Sequence, residues 1–103
     1  MSHLLLKESQ LTREVVGGEL YEYYPLGKYI VRARGICGGR PTFKYTRIEV
    51  ALILKRIAQG KSVEYIVNAY HDPHLTEASI QEAIALATSA FSASPQVALP
   101  LSG

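Results

Sequence analysis

The residues that could support catalysis or metal binding are a single cysteine and three histidines. A cysteine nucleophile needs a histidine base oriented by a further group, and no such signature links Cys37 to the distant His71 and His74. A structural metal site normally pairs its cysteines in Cys-x-x-Cys spacing, whereas Cys37 is alone and Pro73 interrupts the histidine pair. The sequence therefore predicts no catalytic residue, no metal site and no cofactor, and we expect a protein that is not an enzyme.

The distribution of charge along the chain is more informative about a binding partner than the cysteine and the histidines are. The net charge is only +2, but residues 28–61 contain nine basic residues and one acid, Glu49, so this basic segment carries +8. The residues before it carry −2 and those after it −4. Such a layout favours a polyanion, an acidic protein or head-to-tail self-contact as the partner. The alternative is that these side chains only solvate a surface. The predicted binding residues are Arg32, Arg34, Arg40, Lys44, Arg47, Lys55, Arg56 and Lys61.

Composition excludes several other classes of protein. With 48% hydrophobic and 19% charged residues, the 103-residue chain can form a packed core and is not disordered as a whole. The longest apolar run, Val50 to Leu54, is far shorter than the ~20 residues of a membrane span. One cysteine excludes an internal disulfide framework and fits a reducing compartment. We therefore expect a soluble, cytoplasmic protein with no membrane segment.

A β-hairpin is predicted at the start of a single domain, residues 19–92. Residues 19–24 are rich in tyrosine and partly alternating, and residues 28–34 alternate after the turn residues Pro25-Leu26-Gly27. The four tyrosines of this hairpin are suited either to subunit packing or to base stacking. Residues 1–18 form an N-terminal extension without a clear pattern, and residues 93–103 form a tail in which prolines prevent regular structure.

Three helices follow the basic connector. Thr46 and Glu49 have capping-box spacing for a largely apolar, central helix that ends at Gly60. Ser62 caps a second helix that ends at Tyr70, and Thr76 caps a third. The expected fold is mainly α with an N-terminal β-hairpin, a three-helix, helix-turn-helix-like domain with a two-stranded ribbon.

The third helix is a poor candidate for reading DNA. It carries Glu77 and Glu82 but no lysine or arginine, so phosphates would repel it. If this protein binds DNA, we expect the ribbon and the connector to make most of the contacts.

One stretch resembles a known family. The run from Ile36 to Val50, ICGGRPTFKYTRIEV, is similar to the signature of the domain-of-unknown-function family 433, and the similarity extends over about residues 30–90. Tyr45 stands where that family usually has glycine, and Glu49 where it usually has proline. The resemblance implies a small helix-turn-helix domain. Many family members resemble antitoxins encoded beside a PIN-like ribonuclease toxin, which implies operator binding and toxin neutralisation.

The resulting hypothesis is an antitoxin-like, non-enzymatic homodimer that binds double-stranded DNA through the basic segment. The alternative is a protein-interaction module that binds and neutralises an acidic partner, such as a PIN-like ribonuclease toxin, without binding DNA.

Overall fold

Four antiparallel strands and three helices make up residues 11–92, the part of the chain that the computed structural model describes. The strands are β1 (Thr12–Val16), β2 (Glu19–Pro25), β3 (Ile30–Ala33) and β4 (Pro41–Phe43), and they lie in the sheet in the order β1-β2-β3-β4. The helices are α1 (Val50–Ala58), α2 (Val63–Tyr70) and α3 (Glu77–Ser92), and a 3-10 turn spans Cys37–Gly39. The predicted tail, residues 93–103, and the first ten residues of the predicted N-terminal extension lie outside the described residues.

The prediction of a mainly α, helix-turn-helix-like fold with a two-stranded ribbon is wrong, because two further strands complete a four-stranded sheet beside the helices. β1 has only five residues, too few to show a clear period. Gly17 and Gly18 do not simply end it: both have positive φ, 60° and 83°, and form the two-residue turn that joins β1 to β2. β4 is shorter still and begins at Pro41, which cannot donate to a strand partner.

The two faces of the sheet are covered differently. On one face, Tyr21, Tyr23, Val31 and Ala33 are buried beneath Ile36 and Tyr45. On the other face, the helices cover the end that carries Ile30 and Phe43. We call the part of this second face that the helices leave uncovered the open face. It carries Arg13 and Val15 of β1, Leu20, Glu22 and Tyr24 of β2, and Arg32 of β3.

The helices close a second core against the sheet. Its fully or almost fully buried side chains include Phe43, Ile53, Ile66, Leu75 and Ile80. The interpretation of α1 as a central helix is wrong, because only Val50 and Ile53 are buried on it and Leu52 is exposed. Its apolar residues surround much of the helix, but the sheet and the other helices cover one side only.

Two of the three predicted helix caps are formed. The Ser62 hydroxyl accepts from the Tyr65 N–H at 3.0 Å. Thr76 and Ser79 cap each other, each hydroxyl accepting from the other residue's N–H. The predicted Thr46–Glu49 capping box is wrong, because the Thr46 hydroxyl donates to the Phe43 carbonyl at 2.7 Å and the Glu49 carboxylate binds Arg40 instead.

Glu82 fastens α3 to the sheet. Its carboxylate accepts from the backbone N–H groups of Lys28, at 2.8 Å, and Tyr29, at 2.6 Å, in the turn between β2 and β3. A Cβ atom at Gly27 would lie 2.7 Å from this carboxylate, so a larger residue there would displace the Glu82 side chain. Glu82 is thus occupied within the fold.

Among residues 11–92, no helix combines the length and hydrophobicity that a membrane crossing needs.

The contact predicts a measurable cost for Glu82→Ala. The substitution leaves two N–H groups without their acceptor, and we expect a loss of about 1–3 kcal/mol in the free energy of unfolding, measured by urea denaturation. Gln81→Ala is the control, because Gln81 is the exposed neighbour on the same helix. Equal stability of the two variants would show that the Glu82 contact contributes nothing.

Candidate nucleic-acid interface

The predicted binding residues do not converge on one surface. The structure distributes the eight side chains over the open face, the connector before α1, and the region where α1 ends and α2 begins. Several of them have partners inside the protein, and these partners decide which side chains are available to a ligand.

Arg32 and Arg34 are the predicted residues on or beside the open face. The Arg32 guanidinium lies 5.7 Å from the centre of the Tyr24 ring, a distance that suits a cation–π contact. Arg34 follows β3, and its Nη1 is 3.7 Å from the carboxylate of Glu22. A shallow cavity of about 250 Å³ lies beside these two arginines, and Tyr24 and Gly39 also line it.

Arg13 joins this group, although it was not among the predicted residues. Its Nε donates to Glu22 at 2.8 Å, so Glu22 lies between Arg13 and Arg34. Two exposed arginines, Arg13 and Arg34, therefore share Glu22 on this side of the sheet, and Arg32 lies over the neighbouring Tyr24 ring. The glycine pair Gly17-Gly18 was the sequence feature that could have revealed this position, because the turn that it forms places Arg13 directly opposite Glu22.

Arg40 and Lys44 each have an acidic partner within the protein, although the Arg40 side chain is 63% exposed. Arg40 makes two hydrogen bonds to the Glu49 carboxylate, at 2.9 and 3.1 Å. Hydrogen bonding to this carboxylate raises the pKa of Arg40, and the same contact lowers the pKa of Glu49. The Lys44 ammonium is half-buried, 3.9 Å from the Glu14 carboxylate and 5.0 Å from the ring centres of Tyr23 and Tyr45.

The Glu14 carboxylate is the acceptor at the centre of this group. The hydroxyls of Tyr23 and Tyr45 donate to its two oxygens, and the Tyr45 bond is 2.8 Å long. These bonds, with Lys44, hold the pKa of Glu14 below its ordinary value. Burial lowers the pKa of Lys44, but hydrogen bonds and charge interactions with the two tyrosines outweigh it, and the net direction is upward. Desolvation raises the pKa of Tyr23, and its bond to Glu14 raises it further.

Tyr45 occupies a conformation that an L-residue rarely adopts. Its φ is +70°, a value in the left-handed region that favours glycine. The backbone N–H of Tyr45 donates to the Tyr21 hydroxyl at 2.8 Å, and the two rings lie 5.4 Å apart. Ring packing and the bond to Glu14 hold the strained backbone in place.

Four predicted residues remain, on α1 or in the connections at its two ends. Arg56 donates to the Tyr70 hydroxyl at 3.1 Å, and the Lys61 ammonium lies 5.0 Å from the Tyr65 ring centre. Lys55 and Arg47 are exposed and form no ion pair within residues 11–92. Arg47 lines a cavity of about 310 Å³ together with Arg34, whereas Lys55, Arg56 and Lys61 line neither this cavity nor the one beside Arg32.

Cys37 and His74, which were considered for metal binding or nucleophilic chemistry, make contacts within the protein. The Cys37 thiol donates to the Arg47 carbonyl at 3.3 Å. His74 lies near Asp72, with Nδ1 3.6 Å from a carboxylate oxygen, and its ring packs on Tyr45. Across the described ranges, no three His, Cys, Asp or Glu side chains are grouped so that they could hold a metal ion.

Comparison with protein families identifies the domain. The family model described as "Protein of unknown function (DUF433)" matches residues 30–87, more than half of the chain. The chain belongs to this family. Neither a curated protein nor a solved structure gave a match. The resemblance seen in the run from Ile36 to Val50 is thereby confirmed.

The DUF433 match begins at the first residue of β3 and ends within α3. It includes Arg32 and Arg34, but β1 and β2 precede it. Arg13, Glu22 and Tyr24 therefore belong to a hairpin that this chain adds to the matched part of the domain. That hairpin doubles the number of strands and creates most of the open face.

The bonds to Glu14 predict a pH-dependent contribution to stability. Because the pKa of Glu14 is lower in the folded protein than its ordinary 4.5, the carboxylate stabilises the fold above pH 4.5. That contribution is lost as the pH falls through the depressed value. We expect Glu14→Gln to lower Tm at about pH 7, and the difference from the parent protein to shrink towards about pH 3.

Thermal unfolding followed by circular dichroism at several pH values measures this effect. Glu19→Gln is the control, since Glu19 is an exposed carboxylate on β2. A Tm difference for Glu14→Gln that stays constant across the pH range would contradict the argument.

Proposed function

We propose that this DUF433 protein is a non-enzymatic, antitoxin-like, cytoplasmic protein that binds double-stranded DNA as a homodimer. The observation that carries the proposal is the group of three exposed arginines, Arg13, Arg32 and Arg34, on or beside the open face, where Glu22 is paired with two of them. Guanidinium groups bind phosphates through two parallel hydrogen bonds, which makes arginine suited to a nucleic-acid backbone.

The geometry favours a sheet as the DNA-binding element. Arg32 lies on a regular strand, and its position over Tyr24 restricts its side chain before a ligand arrives. Strands serve other proteins as DNA-binding elements in either groove. Glu82 faces the turn between β2 and β3, so it does not oppose phosphates at the open face.

A dimer would double the number of phosphate contacts. Three arginines per protomer provide about six contacts, for which the logarithm of affinity should fall against the logarithm of salt concentration with a slope of about −5. One protomer alone would provide a slope of about −3. The salt dependence therefore tests the arginines and the stoichiometry together.

Removing two of these arginines should weaken DNA binding. We expect Arg32→Ala with Arg34→Ala to reduce the affinity for a labelled duplex at least ~tenfold and to make the slope shallower by about 4, as measured by fluorescence anisotropy. The matched control is Lys55→Ala with Lys61→Ala, which removes the same charge from the side of the protein that carries α1 and α2. Equal losses in the two double variants would indicate only a net-charge effect and would contradict the assignment.

A second candidate function rests on two apolar side chains of the same face. Val15 is 76% exposed and Leu20 is 63% exposed, and they pair across β1 and β2. Exposed apolar side chains surrounded by charges are typical of protein interfaces. They favour an acidic protein partner, such as a PIN-like ribonuclease toxin, whose carboxylates would meet the arginines.

Co-purification with the product of the adjacent reading frame tests this alternative. We expect Leu20→Asp to abolish the complex on size-exclusion chromatography, because it places a charge in the apolar part of the interface. Leu86→Asp is the control, since Leu86 is an exposed leucine on α3. Persistence of the complex in Leu20→Asp would exclude this surface.

A further inference from the structure

A cavity of about 350 Å³ opens where three connections of the chain meet. The turn between β2 and β3 supplies Lys28 and Tyr29, and the connection from β4 to α1 supplies Lys44 and Tyr45. The connection from α2 to α3 supplies His74. Side chains that converge from separate connections on a rigid scaffold are a common basis for ligand binding. The three arginines beside the open face are not part of this cavity.

The aromatic side chains of the cavity are held in place from behind. The Tyr45 ring packs against Tyr21, and its hydroxyl is bound to Glu14, so this ring is not free to turn away. The His74 ring lies 5.1 Å from the Tyr45 ring centre at an angle of 57°. The backbone N–H of His74 donates to Asp72 at 2.8 Å, which fixes the tight turn on which the imidazole is mounted.

The charge at the cavity wall is positive. Lys28 and Lys44 both line it, and the Lys28 ammonium lies 5.3 Å from the Tyr29 ring centre. The carboxylates nearby do not line the wall. Glu14 accepts the two tyrosine hydroxyls and lies 3.9 Å from the Lys44 ammonium. Glu82 accepts two backbone N–H groups, and Asp72 accepts the His74 N–H.

We propose that this cavity binds a small aromatic anion. The planar part of the ligand packs among the rings of Tyr29, Tyr45 and His74, and its anionic group lies between the ammonium groups of Lys28 and Lys44. The volume is at the lower end of the usual range for small-molecule sites, which suits a ligand of one ring system with a short anionic arm. A nucleoside monophosphate and an aromatic carboxylate both have this chemistry. The site goes beyond the proposed DNA binding and does not depend on it.

Isothermal titration calorimetry of the full chain tests the proposal with four probes. Adenosine monophosphate carries a ring and a phosphate, indole-3-acetate a ring and a carboxylate, adenosine only the ring system, and inorganic phosphate only the anion. We expect at least one of the two aromatic anions to bind at least ~tenfold more tightly than adenosine and inorganic phosphate. Whichever aromatic anion binds better identifies the source of the anionic group. Equal binding of inorganic phosphate or adenosine, or no binding by any probe, would overturn the proposal.

Variants locate the binding event. We expect Lys28→Ala to lower the affinity for the aromatic anion about fivefold, because one exposed charge contact is lost. Lys61→Ala is the matched control, because Lys61 also lies over a tyrosine ring, at 5.0 Å, but outside this cavity. We likewise expect His74→Ala to weaken binding and the exposed His71→Ala to leave it unchanged.

Proton–nitrogen correlation spectra establish that each variant is folded, so that a loss of affinity is not a loss of structure. Equal effects of Lys28→Ala and Lys61→Ala would show a diffuse charge effect and reject the cavity as the site. These measurements contain no DNA, so their outcome is independent of the proposed DNA binding.

Discussion

The position of the β1–β2 hairpin depends on the hydrogen bonds to the carboxylate of Glu14. This carboxylate lies on the edge strand β1 and accepts from the hydroxyls of Tyr23, on β2, and Tyr45, in the connection to α1. A hydrogen bond from a phenol hydroxyl to a charged carboxylate is stronger than one between neutral groups. The Glu14 carboxylate joins the hairpin that precedes the family match to the connector within it, and it holds a tyrosine ring over one face of the sheet. The opposite face of β1 and β2 is left open.

The charge of the basic segment is divided among several parts of the structure. The basic segment carries +8 in the sequence, but the charge of Arg40 is directed to Glu49 and Lys44 lies among tyrosines beside Glu14. The other basic side chains of the segment lie in separate regions of the structure. The arginines beside the sheet favour a phosphate backbone or an acidic protein, whereas the lysines of the cavity favour a small anion.

Membership of the DUF433 family accounts for β3, β4 and most of the helical part of the structure. The two positions that depart from the family pattern both acquire a structural reason. Tyr45 accepts a left-handed backbone because its ring and hydroxyl have partners, and Glu49 provides the acceptor for Arg40. The added hairpin supplies Glu14, Tyr21 and Tyr23, so the departure at Tyr45 and the presence of the hairpin belong to one arrangement.

The sequence by itself determined the local features: the turn after Pro25, the caps at Ser62 and Thr76, and the family signature from Ile36 to Val50. These depend on hydrogen bonds and backbone preferences within a few residues. Only the tertiary structure decided the four-stranded sheet, because β1 and β4 are too short to show a period and gain their stability from pairing with neighbours. The tertiary structure also decided which partners Glu49, Glu82 and the basic side chains bind. A charged group is held by its strongest partner in space, and the separation of two residues along the chain does not reveal which partner that is.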